Sequence, residues 1–315
     1  MRIVAALGGN ALMRRGEPLT SAHQRDNVEA AAVALAPLYH AGYGLIVTHG
    51  NGPQVGLLAL QAAAGPAESS TPLDILDAES EGMIGYLIEQ ALANLLPTGT
   101  RIATLLTQVR VDRDDPAFAR PDKPIGPAYA REDAERRARD LGWSLIADGR
   151  SWRRAVPSPR PQEIMELPVI EMLVDAGVLV ICAGGGGIPV VRRDDSSLIG
   201  IEAVIDKDRA SALLARQLAA DCLLLLTDVD AVYLDWGTPR QRAIEAAAPG
   251  ALSPEDFAAG SMRPKLEAAI AFAEATGKPA MIGGLSAAAA LLEGRAGTRI
   301  DSAVEGLLLR PELSP

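Results

Sequence analysis

Short apolar segments of strand length alternate along this chain with longer segments in which apolar residues recur every three to four positions. The first pair, residues 3–7 and 21–40, predicts a strand followed by a helix. Because several of the strand-like segments are apolar at every position, both faces of their sheet must be covered. The pattern therefore predicts an α/β protein with three layers, α/β/α, around a mainly parallel central sheet.

The same alternation continues to the end of the chain. The further predicted elements are strand 45–48, helix 74–96, strand 102–108, helix 164–176, strand 178–183, helix 208–219, strand 223–227, helix 262–276 and strand 279–282. Pro264 falls in the first turn of its predicted helix, where proline is tolerated.

Residues 112–161 depart from this alternation. They hold seven of the 22 prolines and a charged run at residues 131–137. Proline removes a backbone donor, so this density of prolines is incompatible with central strands. We therefore expect an inserted subdomain, a hairpin or a lid, that protrudes from the main sheet.

Charge and cysteine content exclude several classes of protein. The 30 basic and 40 acidic residues give a net charge of −10, which argues against nucleic acid as the main partner. The two cysteines, Cys182 and Cys222, lie in apolar runs, as expected for buried thiols in a reducing compartment. No apolar stretch reaches the roughly 18 residues of a membrane span. We expect a cytoplasmic protein that binds no membrane.

Several common site motifs are missing from the sequence. It contains no G-x-x-x-x-G-K-[ST], no G-x-G-x-x-G after the first strand, no G-x-S-x-G and no H-E-x-x-H. Its three histidines have no metal-ligand spacing. The missing motifs therefore argue against a P-loop NTPase, a simple Rossmann enzyme, a serine hydrolase and a zinc enzyme.

Three glycine-rich turns, residues 8–10, 50–52 and 184–187, each follow a predicted strand. Parallel sheets bind ligands at the carboxyl ends of their strands, where glycine lets the backbone approach an anion. Each turn alone is explained better by a tight bend that needs positive φ. Three of them, two with an asparagine, favour a cradle for a phosphate or a carboxylate.

Lysine is scarce in this chain, and three lysines have notable positions. Lys207 stands between Asp206 and Asp208 before a predicted helix, Lys265 lies in the first turn of another, and Lys123 lies in the insert. Phosphoryl transfer requires positive point charges at the phosphate oxygens, and Asp208 is placed to hold two lysines. The alternative is a solvated charged turn, which the residues alone favour.

A further candidate is the segment 227–230 at the end of an apolar strand, with Tyr233 just beyond it. Carboxylates at strand ends often contact Mg²⁺ or a nucleotide. They also often cap the following turn, so both interpretations stay open.

Together these segments resemble the carbamate kinases of the amino acid kinase superfamily. The matching segments are residues 6–12, 48–56, 123–127, 152–159, 182–190, 202–208, 226–233 and 261–265. Each one is weak alone, but their order and spacing along nearly the whole chain are highly specific.

The resemblance implies reversible phosphoryl transfer between ATP and carbamate, giving ADP and carbamoyl phosphate with Mg²⁺. It implies an amino acid kinase-like fold, usually in a homodimer. Residues 1–205 would form the lobe that binds carbamate or carbamoyl phosphate, with its insert at about 112–161. Residues 206–315 would form the nucleotide-binding lobe.

The resemblance also assigns roles to residues. Lys207 and Lys265 would stabilise the transferring phosphoryl group, Asp208 would orient them, and Lys123 would reach in from the insert. The acceptor cradle would consist of Gly8, Gly9, Asn10, Gly50, Asn51 and Gly52. The nucleotide would contact Thr227, Asp228, Tyr233, Met262 and Lys265. No metal ligand is assigned to the protein, because Mg²⁺ arrives with the nucleotide.

Two residues depart from the family pattern: Arg263 stands at a usual glycine and Glu81 at a usual glutamine. We expect Arg263 to face solvent or a nucleotide phosphate rather than to crowd the nucleotide. Two alternatives to carbamate kinase remain. One is a related kinase that acts on an acylamino acid or a nucleoside monophosphate, and the other is a non-catalytic nucleotide-binding protein. Retention of Lys207, Asp208 and Lys265 argues against the second.

Overall fold

The computed structural model describes residues 1–12, 17, 20–64, 71–258 and 260–311, without the side chains of residues 10 and 11. Its helices and strands, in chain order, are β1 (Arg2–Leu7), α1 (Gly9–Leu12), α2 (Ser21–His40), β2 (Gly44–His49), α3 (Gly52–Ala63), α4 (Leu73–Leu95), β3 (Ile102–Thr104), β4 (Gln108–Val111), β5 (Lys123–Tyr129), α5 (Arg131–Leu141), β6 (Ser144–Asp148), β7 (Ser151–Val156), β8 (Pro161–Ile164), α6 (Leu167–Asp175), β9 (Leu179–Ile181), β10 (Ile188–Arg192), β11 (Leu198–Gly200), α7 (Lys207–Gln217), β12 (Cys222–Thr227), β13 (Tyr233–Leu234), β14 (Arg242–Ala247), α8 (Met262–Thr276), β15 (Ala280–Gly284), α9 (Ala288–Leu292), β16 (Thr298–Ile300) and β17 (Leu307–Leu309).

The largest sheet has ten strands in the order β13-β14-β16-β15-β12-β1-β2-β9-β3, with β17 paired to β14. From β15 to β3 all neighbours are parallel, and antiparallel pairs occur only at the other end, among β13 to β17. The predicted mainly parallel central sheet is confirmed.

Two apolar clusters cover the two faces of this sheet. In β1, Val4 and Ala6 belong to the cluster that also holds residues of α7 and α8. Ile3, Ala5 and Leu7 belong to the other cluster, with residues of α2, α4 and α9. Because side chains alternate along a strand, the central strands β1, β2, β9, β12 and β15 supply both clusters, and the three-layer prediction is confirmed.

The predicted boundary between lobes at residue 205 does not interrupt the sheet. β1 pairs with β12 along its length, from Ile3 opposite Cys222 to Leu7 opposite Leu226. The two predicted lobes therefore share one continuous sheet, and their assignment to different ligands stays a prediction.

One predicted strand, residues 102–108, is wrong. β3 ends at Thr104 in the central sheet, whereas β4 begins at Gln108 in a separate four-stranded sheet, β11-β10-β4-β8. Between them the Thr107 amide donates to the Glu81 side chain, which turns the chain from one sheet to the other. The helix predicted at 164–176 is also too long, because Ile164 ends strand β8.

The insert forms a three-stranded antiparallel sheet, β5-β7-β6, next to helix α5. This sheet is separate from the central sheet, as predicted, but it packs tightly on α3. A Cβ atom at Gly56 would lie 1.9 Å from Cα of Gly126, so the two backbones meet where neither residue has a side chain. This contact anchors the insert beside the carboxyl end of β2.

Within the described ranges, no helix is long and apolar enough to cross a membrane. Cys182 and Cys222 are free and buried. Burial raises the pKa of the Cys222 thiol to about 12, so it stays protonated and unreactive near neutral pH.

Candidate active site

The predicted turns meet at one edge of the central sheet. Leu7, the last residue of β1, pairs with both His49 of β2 and Leu226 of β12. Val47 in β2 pairs with Ile181, the last residue of β9. The turns that follow these parallel strands therefore share the carboxyl edge, where α/β sheets bind ligands.

The first two glycine turns touch each other. A Cβ atom at Gly50 would lie 3.0 Å from the amide nitrogen of Gly9, and one at Gly8 would lie 2.9 Å from the carbonyl oxygen of Leu226. The Gly8 amide donates to that carbonyl and is not available to a ligand. Gly52, the first residue of α3, borders open space, because a Cβ atom there would meet nothing within 4 Å.

Three of the chain's four lysines meet two carboxylates beside these turns. Nζ of Lys207 lies 2.5 Å from Oδ1 of Asp208, and Nζ of Lys265 lies 3.1 Å from its Oδ2. Nζ of Lys123 lies 3.0 Å from Oδ2 of Asp206. Asp208 is 3% exposed, so the alternative of a solvated charged turn is wrong.

The start of α7 organises this cluster. Asp206 is its N-cap: Oδ1 accepts from the amides of Asp208 and Arg209 at 3.0 and 3.2 Å, while Oδ2 holds Lys123. Lys265 lies in the first turn of α8, which packs against α7 through the Arg209–Glu267 ion pair at 2.7 Å. Two helix starts and the insert therefore converge on one point.

The charges in this cluster support one another. Burial disfavours charge on Asp208, yet Lys207 and Lys265 hold its pKa below the ordinary value. Burial and the nearby Lys265 lower the pKa of Lys207, whereas for Lys265 the attraction of Asp208 and Asp206 outweighs burial and raises the pKa. Within these three ion pairs the ammonium groups outnumber the carboxylates by one, which favours an anionic ligand.

The turn at residues 50–52 is tied to α4. The side-chain amide of Asn51 donates to Oδ1 of Asp77 and to Oγ of Ser80, both at 2.9 Å. Both of its N–H groups are therefore engaged. The turn can contact a ligand only through its backbone and the side-chain oxygen of Asn51. The side chain of Asn10, the other asparagine of the predicted cradle, lies outside the described residues.

A buried polar network lies behind the turn at residues 50–52, and it was not predicted from the sequence. Asp77, Ser80 and Glu81 are buried on one side of α4. Burial raises the pKa of Asp77 and raises that of Glu81 to about 8, and it lowers the pKa of His49 to about 4. Three polar residues at i, i+3 and i+4 on an apolar helix face were the signal available in the sequence.

The predicted nucleotide residues follow β12 and begin α8. Thr227 is buried and donates to Asp228, which lies close enough to Lys265 to help raise its pKa. Met262 is the first residue of α8. The Tyr233 hydroxyl donates to Asp230 at 2.8 Å. Through Asp228, this segment adjoins the lysine cluster.

Arg263 makes a contact that was not predicted, and its approach to a nucleotide phosphate stays a prediction. Its Nη2 donates to the carbonyl oxygen of Glu255 at 2.8 Å, which ties the guanidinium to the segment before α8. The side chain is half-buried rather than solvent-facing. The departure from glycine is therefore used in a structural contact.

Comparison with known proteins identifies the family. The profile of the amino acid kinase family matches residues 1–284. The chain belongs to the amino acid kinase family. Among its relatives, the carbamate kinase of Haemophilus influenzae is 54% identical over 307 residues, which cover 98% of this chain and 99% of that protein. The carbamate kinase of Rhizobium meliloti is 51% identical over 315 residues, covering 99% and 97%.

Solved structures of this family agree with the fold. A carbamate kinase from Giardia lamblia bound to AMP-PNP superimposes with a TM-score of 0.86 at 44% identity, covering 95% of this chain and 98% of that one. The resemblance to carbamate kinases and the amino acid kinase fold are thus confirmed.

Proposed function

We propose that this protein transfers a phosphoryl group reversibly between ATP and carbamate, giving ADP and carbamoyl phosphate. The observation that carries the proposal is the buried cluster of Lys207, Lys265 and Asp208 beside glycine turns at the carboxyl edge of the sheet. Relatives with about half of their residues identical are carbamate kinases. A non-catalytic relative would tolerate the loss of Lys207 and Lys265, but this chain retains both.

Point charges are what the reaction requires from the protein. Carbamate carries its nucleophilic oxygen as an anion, so the oxygen attacks the γ-phosphorus of ATP without a general base, and the bond to ADP breaks. Charge on the transferring phosphoryl oxygens is neutralised by Lys207 and Lys265, which Asp208 fixes in advance. In the reverse direction, an oxygen of ADP attacks carbamoyl phosphate, and carbamate leaves as the anion.

Mg²⁺ accompanies the nucleotide in this proposal. In the described part of the chain, no group of three or more His, Cys, Asp or Glu could hold a metal ion. The donors around the lysine cluster are ammonium groups, and Asp228 is the exposed carboxylate next to them. This set fits a metal held mainly by phosphate oxygens, which it neutralises when bound.

The two ligands are assigned to different parts of the chain. Residues 1–205 bind carbamate or carbamoyl phosphate through the turns at 8–10 and 50–52, completed by Lys123 from the insert. Residues 206–315 bind the nucleotide through Thr227, Asp228, Tyr233 and Met262. The AMP-PNP bound to the Giardia relative supports an adenine nucleotide as ligand.

We propose a homodimer that uses an apolar face of α4. Met83 and Tyr86 are 38% and 52% exposed on this helix, and Leu106, packed beside Gly82, is 52% exposed. Large apolar side chains that adjoin one another on a surface are typical of subunit contacts. Analytical ultracentrifugation of wild type and Tyr86→Glu tests this proposal: the wild type should sediment as a dimer and the variant as a monomer.

We also propose a cytoplasmic location, supported by the two free, buried cysteines. Cell fractionation with an antibody to the protein tests it, and recovery outside the cytoplasmic fraction would contradict it.

Formation of ATP from ADP and carbamoyl phosphate tests the proposed activity. A coupled assay should detect ATP with carbamoyl phosphate and Mg²⁺ but not with acetyl phosphate, which lacks the amino group. Absence of ATP with carbamoyl phosphate would contradict the proposal. Equal rates with acetyl phosphate would instead indicate a related kinase with a different acceptor.

A further inference from the structure

Glu81 joins two distant segments through its carboxylate. Oε1 accepts from the Gly184 amide at 2.8 Å and Oε2 accepts from the Thr107 amide at 3.1 Å. The residue is 1% exposed. Both partners are N–H donors, so an ionised carboxylate satisfies both, whereas protonation would weaken one of its two oxygens as an acceptor.

The segment that Glu81 holds, residues 184–187, is wedged between both halves of the site. A Cβ atom at Gly185 would lie 2.2 Å from Nδ2 of Asn51, and one at Gly186 would lie 2.6 Å from the carbonyl oxygen of Ile205. Their φ angles are 71° and 103°. Because Ile205 precedes Asp206, a displacement of this glycine turn would move the turn at residues 50–52 and the anchor of Lys123 together.

We propose that Glu81 is a positioning residue for phosphoryl transfer: its ionised carboxylate holds the glycine turn 184–187 in the shape that aligns Asn51 with Asp206 and Lys123. The proposal rests on the proposed function, because it concerns the acceptor side of that same site. Glu81 itself lies behind the glycine turn and acts only through it.

The groups around Glu81 place its ionisation within an accessible pH range. Burial raises the pKa of Glu81 to about 8, and the nearby Asp77 adds to the shift. His49 faces it across Gly184 and is neutral near pH 7, since burial lowers its pKa to about 4. Cys182 and Glu166 nearby supply no positive charge, whereas the Lys207 ammonium acts on the neighbouring His49 and helps to lower its pKa. The ordered turn should therefore form as the pH rises through about 8.

Stability and alignment have opposite pH dependence. The pKa of Glu81 is above its ordinary value of 4.5 in the folded protein, so between pH 4.5 and about 8 the folded state holds more protons than the unfolded state. The contribution of Glu81 to stability is therefore fully present below pH 4.5 and is lost as the pH rises through about 8. If Glu81 had a purely structural role, a rise in pH would not increase turnover while it lowers stability.

The test compares Glu81→Gln with Glu79→Gln, a matched change at an exposed position of the same helix. At pH 9, Glu81→Gln should lower kcat/KM for carbamoyl phosphate about tenfold, the effect of losing one well-formed hydrogen bond to a charged group, with KM for ADP unchanged. At pH 6.5 the loss should shrink, because wild-type Glu81 is then protonated. The unfolding temperature of wild type should fall more between pH 6.5 and 9 than that of Glu81→Gln, and Glu79→Gln should match wild type throughout.

A pH profile of kcat/KM that is the same in wild type and Glu81→Gln would overturn the proposal. So would an equal loss of affinity for both substrates together with a lower unfolding temperature at pH 9. If Glu81→Gln does not fold, hydrogen exchange of the wild-type protein tests the positioning role of Glu81 instead. Relative to intrinsic rates, the amides of 184–187 should become more protected as the pH rises through about 8, and constant or decreasing protection would overturn the proposal. If the wild-type protein forms no ATP, the proposed function is contradicted. The exchange and unfolding measurements would still test whether Glu81 holds the turn at residues 184–187.

Discussion

The two halves of the site balance buried charge in different ways. On the proposed phosphoryl side, Asp208 is paired with Lys207 and Lys265 at 2.5 and 3.1 Å. On the proposed acceptor side, Glu81 is held by hydrogen bonds from Thr107 and Gly184 rather than by a cation, and His49 is neutral near pH 7. The proposed phosphoryl side therefore fixes its charges by ion pairing, whereas the acceptor side depends on hydrogen bonds and on protonation.

The largest effect is expected where one carboxylate fixes two cations. Asp208→Asn keeps the shape of the side chain but removes the charge that orients Lys207 and Lys265. Turnover should fall by about a thousandfold, the upper range for loss of one preorganised electrostatic contact. Steady-state kinetics measures this, with circular dichroism as the control for folding. A variant that simply unfolds would assign Asp208 a structural role at the start of α7.

Removal of either lysine should cost less. Lys207→Ala or Lys265→Ala should lower kcat by about a hundredfold or more, with smaller changes in KM, because the charge is needed most in the transition state. The chain offers a matched control in Lys278, whose side chain is 52% exposed beside Asp221. Lys278→Ala should have wild-type kinetics. Near-normal turnover without Lys207 or Lys265 would exclude that lysine from the chemistry.

Lys123 should show an intermediate effect, because it reaches the site from the insert. Lys123→Ala should lower kcat/KM for carbamoyl phosphate by about tenfold and leave KM for ADP unchanged, as expected for one charged hydrogen bond. Hydrogen exchange across residues 123–156 should slow when substrates bind, if the insert closes on the acceptor. Unchanged exchange combined with a silent Lys123→Ala variant would remove the insert from the mechanism.

The smallest effect is expected at Arg263, which donates to the Glu255 carbonyl rather than facing a ligand. Arg263→Gly should change the affinity for ADP by less than about twofold, well below the 1.4 kcal/mol that corresponds to one decade. Calorimetric titration of ADP into both proteins measures the difference. Tenfold weaker binding would indicate that the guanidinium reaches a phosphate, and clearly tighter binding would indicate crowding.

Elements with strong local signals could be predicted from the sequence. Helix α2 has the predicted bounds because Thr20 caps its first turn, and α8 ends as predicted because Gly277 adopts φ 65°. The glycine turns at 8–10 and 50–52 were recognisable because each follows a predicted strand with a run of apolar residues. Their convergence at one edge of the sheet follows from the parallel register.

Features that depend on distant residues could not be predicted. The break between β3 and β4 requires the bond from the Thr107 amide to Glu81, 26 positions earlier. The partner of Lys123 is Asp206, 83 positions away, and this pair was not predicted from the sequence. Spacing along the chain carries no information on such pairs, because the fold brings them together.

A double-mutant cycle on kcat tests most directly whether Asp208 works through its lysines. The cycle compares wild type, Asp208→Asn, Lys265→Ala and the double variant. If Asp208 acts by holding Lys265 and Lys207 in place, adding Lys265→Ala to Asp208→Asn should lower kcat by only about threefold further, far less than Lys265→Ala lowers it alone. If the two losses multiply instead, Asp208 and Lys265 act independently, and the anchored lysine pair is not the basis of phosphoryl transfer.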